Sequence, residues 1–150
     1  MSKKVLWFVP LDSEMNGEIK RATSLTKIIK HQNILNCTDI FSNYNYTIFS
    51  FHHTQTLLSW FLKQPDMKEK IAAKITKHLL LGLSHLHSLG IVHGEVDIEN
   101  VVYNPEKKSF QLNFSLSNNK YGGKFDICSI LAPPECHHLG VYGKESDMWG

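Results

Sequence analysis

Residues 91–103 read Ile-Val-His-Gly-Glu-Val-Asp-Ile-Glu-Asn-Val-Val-Tyr, and this stretch decides the fold prediction. His93 is followed two residues later by a carboxylate, Glu95, and Asn100 comes directly before an apolar run at residues 101–103. This run and the apolar run at residues 110–112 predict two strands around a turn at residues 104–107. The sequence therefore predicts a polar loop that leads into a β-hairpin.

Upstream of this loop the sequence predicts a long amphipathic helix. Asp66 is predicted to cap its start, because Glu69 lies three residues on in the capping-box position, and Gly90 is predicted to end it. A shorter helix is predicted at residues 56–63. The apolar positions of the long helix, spaced by three or four residues, are Ile71, Ile75, Leu79, Leu83 and Leu86.

The first fifty residues predict the order strand, helix, strand, strand. Residues 5–9 are a continuous apolar run closed by Pro10, which predicts a buried strand that contains no lysine. Residues 18–30 follow as a helix with one apolar face. Two short strands are then predicted around residues 40–41 and 46–51, separated by a turn at residues 42–45.

The composition is that of an ordinary globular protein, with 42% hydrophobic and 20% charged residues among 150. A net charge of +2 is too small to indicate binding to nucleic acid or an acidic membrane. No apolar run approaches the length of roughly 20 residues that spans a bilayer. Three cysteines without a C-x-x-C pair favour a reducing compartment, so a cytoplasmic location is expected. The spacing of the nine histidines argues against a zinc site.

Five segments, taken in chain order, resemble landmarks of protein kinases. Residues 31–34, His-Gln-Asn-Ile, are similar to the H-P-N-I turn that follows the regulatory helix. Residues 88–93 and the loop after them resemble the approach to the catalytic loop H-R-D-L-x-x-x-N and that loop itself. Residues 113–115 stand where D-F-G belongs, and residues 132–135, Ala-Pro-Pro-Glu, resemble A-P-E. Residues 142–150 resemble the start of the central helix of the carboxy-terminal lobe.

The resemblance covers nearly the whole chain and implies an α+β, two-lobed protein kinase-like fold. The fold is expected to be incomplete, starting at the third strand of the amino-terminal lobe and stopping where the central helix of the carboxy-terminal lobe begins. Residues 1–52 are predicted to form a partial amino-terminal lobe and residues 53–150 a partial carboxy-terminal lobe. Together they would form one protein kinase-like domain.

The resemblance also implies ATP and Mg²⁺ as cofactors and assigns residues to the site. Glu95 stands at the position of the catalytic base, and Asn100 at that of the metal-ligand asparagine. The metal positions that remain are Asn100 and Asn113. Ser50 takes the gatekeeper position, and the hinge offers backbone groups to an adenine. The nucleotide-binding positions implied in this way are Ser50, Phe51, His53 and Asn113.

Several site positions depart from the family pattern in ways that remove charge. Gly94 replaces the arginine of the catalytic loop, Glu95 the aspartate, and Asp97 a lysine found in many such kinases. The strand lysine that grips the phosphates aligns with Phe8 or a neighbour, and its glutamate partner with Ala22. No G-x-G-x-x-G loop is present. Because phosphoryl transfer depends on positioning and charge neutralisation, the departures argue against tight ATP binding and efficient turnover.

Alternatives remain open for individual residues. Asn100 could bind a metal or could fix the loop through a side-chain hydrogen bond. Glu18 could replace Ala22 as the partner of the strand lysine if the alignment is shifted by one helical turn. In the family, the aspartate at Asp147 accepts hydrogen bonds from the catalytic-loop backbone, and the glutamate at Glu135 pairs with a downstream arginine.

Three functional hypotheses follow from this pattern. The first is a pseudokinase that acts as a binding, scaffold or regulatory module, with a protein partner and without nucleic acid or membrane binding. The second is a weakly active ATP-dependent serine/threonine kinase that uses Glu95 as its base. The third is a truncated kinase-domain fragment without independent function.

Overall fold

The computed structural model describes residues 4–11, 16–52, 54–64, 66–113, 133–139 and 143–149, except for the side chains of residues 16–18, 21 and 137–139. Two short 3-10 turns, Ile98–Asn100 and Ser146–Met148, accompany its helices and strands. In chain order the other elements are β1 (Lys4–Pro10), α1 (Asn16–Ile28), β2 (Cys37–Ser42), β3 (Tyr46–His52), β4 (Gln55–Thr56), α2 (Leu57–Phe61), α3 (Glu69–Ser88), β5 (Val101–Asn104), β6 (Ser109–Leu112) and α4 (Pro134–Leu139).

The first sheet has the strand order β1-β3-β2 and is antiparallel throughout. Helix α1 covers one face of it, where Ala22 is buried together with Phe49 and Phe51 of β3. The predicted order of strand, helix, strand, strand is therefore confirmed. The turn between β2 and β3 lies close to its predicted place at residues 42–45, since β2 ends at Ser42 and β3 begins at Tyr46.

Strand β1 corrects two expectations. It is not buried on both faces, because its residues alternate between exposed and half-buried, and Leu6 and Phe8 are 48% and 59% exposed. Helix α1 covers only one side of the sheet, so period-two alternation leaves the other side open. The strand also begins at Lys4, so the expectation of a strand without lysine is wrong.

Helix α3 and the second sheet, β4-β5-β6, form the other main core. The apolar stripe predicted for α3 is confirmed, because its side chains pack into this core and the neighbouring cluster under the turn before β2. Gly90 ends the helix as predicted, with a φ of +73° in the left-handed region that favours glycine. The predicted hairpin is confirmed by the pairing of β5 with β6.

The predicted cap at the start of α3 is wrong. The N-cap residue is Lys68, which makes no side-chain capping bond, and Asp66 is exposed two residues outside the cap. A capping side chain must sit at the N-cap itself to reach the first free N–H groups, so Asp66 lies too early. The shorter helix is confirmed as α2, and Thr56 caps it by accepting a hydrogen bond from the Ser59 N–H at 3.2 Å.

The turn of residues 31–36, between α1 and β2, holds the two cores together, and we call this contact the junction. The Leu35 N–H donates to the Leu112 carbonyl at 2.7 Å, and the Leu112 N–H donates to the Asn33 carbonyl at 2.8 Å. The buried Asn33 side chain also donates to the Phe110 carbonyl at 3.0 Å. Strand β6 therefore fixes the position of the turn relative to α3.

Gly82 of α3 lies against the junction without room for a side chain. A Cβ atom there would lie 2.9 Å from the Asn33 carbonyl oxygen and 3.1 Å from Leu112 Cδ1. We expect Gly82→Ala to lower the free energy of unfolding by about 1–3 kcal/mol, because backbone must move to admit the methyl group. Urea denaturation measures this loss. Ser84→Ala on the exposed side of α3 is the control, and equal effects of the two changes would contradict the close contact.

Candidate functional site

Asp147 holds the loop of residues 91–100 in place through hydrogen bonds to the loop backbone. Its carboxylate, fully buried, accepts hydrogen bonds from the backbone N–H groups of His93 and Gly94, both at 2.8 Å. The contact predicted for Asp147 is therefore confirmed. Gly94 has a φ of +86°, in the region that favours glycine, so the loop conformation suits the residue that stands where the family has arginine.

His93 connects this loop to residue 113. Its Nε2 lies 3.1 Å from the Asn113 carbonyl oxygen, and its Nδ1 accepts the Glu95 N–H at 3.3 Å. Burial lowers the pKa of His93 more than the nearby Asp147 raises it, so the ring is neutral with its proton on Nε2. The imidazole thus serves as a structural link between the two polar segments.

Glu95 and Asn100 lie next to each other in the loop. The Asn100 side-chain amide donates to the Glu95 carbonyl at 3.2 Å, and the Asn100 carbonyl accepts the Asn113 N–H at 2.7 Å. The pKa of the Glu95 carboxyl lies above its ordinary value. Burial raises this pKa more than a hydrogen bond from Asn100 lowers it, and Asp97 raises it further. The structure therefore shows the loop-fixing bond of Asn100, while a metal-binding role for Asn100 and Asn113 stays a prediction.

The side of the first sheet that faces α1 is where the lysine and glutamate of the family would meet. The residues there are apolar: Trp7 packs edge-on against Phe51, with ring centroids 5.5 Å apart, and Ala22 lies in the same cluster. We call this set of side chains, Trp7, Ala22, Phe49 and Phe51, the apolar wall. The neighbours of Phe8 on the α1-facing side of β1 are Trp7 and Val9, and both are apolar.

The charged and aromatic groups on the other side of β1 do not reach the apolar wall. Lys4 donates to Asp39 of β2 at 2.6 Å in an exposed ion pair. Phe8 contacts Tyr46 edge-on, with centroids 6.4 Å apart. Glu18 belongs to α1, but its side chain lies outside the described residues. Within the described part of the chain, no lysine or arginine of β1 therefore points toward α1.

The predicted nucleotide-binding residues do not share one side of β3. Ser50 is buried on the side away from the apolar wall, where its hydroxyl accepts a hydrogen bond from Thr38 Oγ1 at 3.2 Å. Strand alternation places Phe51 on the side that faces α1. His53 lies outside the described residues, as do Phe114 and Ser115 of the D-F-G-like segment and Ala132 of the A-P-E-like segment.

Sequence reasoning missed three contacts around Asp147 and Glu135. His87 of α3 places Nε2 2.7 Å from Asp147 Oδ2, and the Lys144 ammonium donates to the His87 carbonyl at 2.7 Å. The buried Ser146 hydroxyl donates to Glu135 Oε1 at 2.8 Å. No spacing rule would have found these pairs, because each joins residues that meet only through the fold. They attach the segment of residues 143–149, whose Asp147 holds the loop, to α3 and α4.

The described residues contain neither a cluster of metal ligands nor a helix that could span a membrane. No three of their His, Cys, Asp or Glu side chains come close enough together to hold a metal ion. Among the helices in that part of the chain, none has both the length and the apolar character needed to cross a bilayer.

A β-sheet covered by one helix, joined to a helical part that carries the loop pinned by Asp147, defines a protein kinase-like fold. The comparisons with known proteins agree, because the family model described as "Protein kinase domain" matches residues 3–150. The chain belongs to the protein kinase family.

Curated relatives support the same assignment. The chain is 30% identical to the probable serine/threonine-protein kinase fhkB of Dictyostelium discoideum, over 93% of this chain and 14% of that protein. It is 29% identical to protein kinase kin1 of Schizosaccharomyces pombe, over 91% of this chain and 16% of that one. It is also 29% identical to the human CaM kinase-like vesicle-associated protein, over 87% of this chain and 27% of that one. The chain thus spans only 14% to 27% of the length of these three relatives.

Proposed function

We propose that this member of the protein kinase family is catalytically impaired and serves as a pseudokinase, a regulatory or scaffold module that binds a protein partner. The observation that carries the proposal is the apolar wall: the resemblance puts the charged pair that grips and orients ATP at Ala22 and at Phe8 or a neighbour, and Trp7 and Ala22 on the α1-facing side of the sheet are both apolar. A tryptophan offers no cation to a phosphate group. Its indole also packs against Phe51, so the space is taken by a hydrophobic contact.

The charges that remain near the loop have the wrong sign for phosphate. Glu95, Asp97 and Glu99 contribute carboxylates, and Gly94 contributes no charge. Loss of one charge-stabilising group commonly lowers the rate about 100- to 1,000-fold, although such losses are not additive. The loss of several such groups therefore supports impaired turnover.

The residues at the metal positions fit Mg²⁺ poorly. Mg²⁺ prefers anionic oxygen ligands in octahedral geometry, whereas Asn113 is neutral and Asn100, whose amide nitrogen donates to the Glu95 carbonyl, offers only its neutral Oδ1. No step of phosphoryl transfer is therefore assigned to a metal ion in this protein. The proposed function therefore implies that ATP binds with a dissociation constant of about 1 mM or weaker.

We expect ATP to stabilise this chain very little, with or without Mg²⁺. A ligand at a concentration equal to its dissociation constant adds only about 0.4 kcal/mol, which raises the melting temperature by about 1–2 °C. Thermal unfolding measures the shift at about 1 mM ATP, a concentration equal to a dissociation constant of about 1 mM. ATP without Mg²⁺ is the control. A large shift that appears only with Mg²⁺ would overturn the proposed loss of the phosphate site.

A weakly active serine/threonine kinase is the second candidate, favoured by one observation. The Glu95 carboxyl has a raised pKa in a loop whose backbone is held by Asp147 and Asn100, so it could accept a proton from a hydroxyl. Transfer of radiolabelled phosphate from ATP to a serine- and threonine-containing protein tests this candidate. Transfer that is lost in Glu95→Ala and kept in the exposed control Glu99→Ala would favour the kinase. Absence of transfer supports the pseudokinase.

The third hypothesis, a fragment without independent function, is tested by folding alone. The described residues form two cores that are linked by backbone hydrogen bonds at the junction. A single cooperative unfolding transition of this chain would exclude the hypothesis, because a chain that lacks a stable fold unfolds gradually.

A further inference from the structure

Two histidines from different parts of the chain stack at the junction. The rings of His31, in the turn of residues 31–36, and His85, on α3, lie 4.9 Å apart between centroids and are inclined by only 16°. His31 Nδ1 accepts the Asn33 N–H at 3.2 Å. His85 Nε2 is buried and has no hydrogen-bond partner among the described residues. The stack therefore joins the turn to α3 next to the hydrogen bonds that join the same turn to β6.

Among the described residues, neither ring of the pair forms an ion pair with a carboxylate. The ion pairs among the described residues are Lys4 with Asp39 and His87 with Asp147, and neither includes the stacked rings. The charged group that acts on His31 is His85 itself. Lys30 precedes His31 along the chain, and at the end of α3 Lys144 donates to the His87 carbonyl while Asp147 contacts the His87 ring.

We propose that the stacked His31 and His85 rings make the junction sensitive to mildly acidic pH, so that protonation loosens the turn from α3 and β6. Protonating one ring places a cation in a half-buried site against a second imidazole. Protonating both places two like charges at stacking distance. This proposal concerns the coupling of the two cores and holds whether or not the chain transfers phosphate.

The direction of the pH effect follows from the pKa of His31. Burial, and to a smaller extent His85, lowers this pKa below its ordinary value of 6.5 in the folded protein. Above pH 6.5 the neutral stack contributes its full stability. As the pH falls below 6.5 the unfolded chain takes up the proton first, so the contribution is lost between that pH and the lower pKa of the folded state.

Hydrogen exchange of the junction amides tests the proposal in the whole chain of 150 residues. The reporters are the Leu35 and Leu112 N–H groups, whose acceptors are the Leu112 and Asn33 carbonyls. After correction for intrinsic exchange, we expect their protection to fall at least about threefold between roughly pH 7.5 and pH 5.5. In His85→Gln the fall should be much smaller, whereas Ser84→Gln, an exposed neighbour on α3, should behave as the wild type does. An equal fall in the wild type and His85→Gln would overturn the proposal.

A second measurement avoids dependence on the variant. In the wild-type protein, the ring resonances of His31 followed by NMR should titrate with a midpoint below 6.5. The junction amides should shift over the same pH range. A midpoint at or above 6.5, or a titration that leaves those amides unchanged, would also overturn the proposal.

Discussion

Replacing Asp147 with alanine is expected to lower the free energy of unfolding by about 3–5 kcal/mol. The buried carboxylate accepts the N–H groups of His93 and Gly94 at 2.8 Å and lies 2.7 Å from His87 Nε2. Alanine would leave these donors buried without their acceptor, and an unsatisfied buried group costs its full desolvation penalty. Urea denaturation followed by circular dichroism measures the loss.

The controls for Asp147 separate the buried contact from the general loss of a carboxylate. Asp66→Ala removes an exposed carboxylate that does not cap α3, so it should change stability by no more than about 0.5 kcal/mol. Asp147→Asn keeps one acceptor oxygen and should give an intermediate loss. A loss below about 1 kcal/mol for Asp147→Ala would contradict the role of this side chain in holding the loop.

Holding the loop in place and binding phosphate are two separate tasks in a kinase-like site, and different residues perform them. The groups that hold the loop of residues 91–100 in place are present, in Asp147, His93 and the Asn100 amide. In the proposed function, the groups that would bind phosphate are replaced, most clearly at the apolar wall. A stable loop conformation without phosphate-binding charge is what the proposed binding module would need.

Periodicity and family resemblance predicted much of the fold. The stripe of α3 repeats over five apolar positions, so its helical period is unambiguous and its buried face follows directly. Asp147 was found because its place in a recognised segment carries a known backbone contact. Both signals lie within short stretches of the sequence, and the structure confirms both predictions. The predicted division between residues 52 and 53 stays a prediction.

The errors arose where a neighbouring element decided the outcome. The burial of β1 depends on which sides of the sheet are covered, and a continuous apolar run does not contain that information. The gatekeeper role of Ser50 stays a prediction, and strand alternation places its side chain on the side of β3 away from α1. The bond between Ser146 and Glu135 and the stacking of His31 on His85 join distant segments, so no spacing could reveal them.

The apolar wall leads to the second large expected effect. Phe49→Ala should lower the free energy of unfolding by about 3–5 kcal/mol, because the ring is completely buried against Ala22 and Phe51. The loss combines the transfer free energy of the ring with the cost of the cavity that remains. Urea denaturation measures it, with the unfolding slope m compared between variants to confirm that the same transition is followed.

Phe8→Ala is the matched control, since it deletes the same side chain from the same sheet on the side away from α1. Phe8 is 59% exposed, so the expected loss is about 0.5 kcal/mol or less, apart from its edge contact with Tyr46. The comparison also tests the proposed function, because it asks which side of β1 faces the helix. A larger loss for Phe8 than for Phe49 would mean that Phe8, rather than Trp7, faces α1. The argument that a packed tryptophan fills the place of the phosphate-binding lysine would then fail.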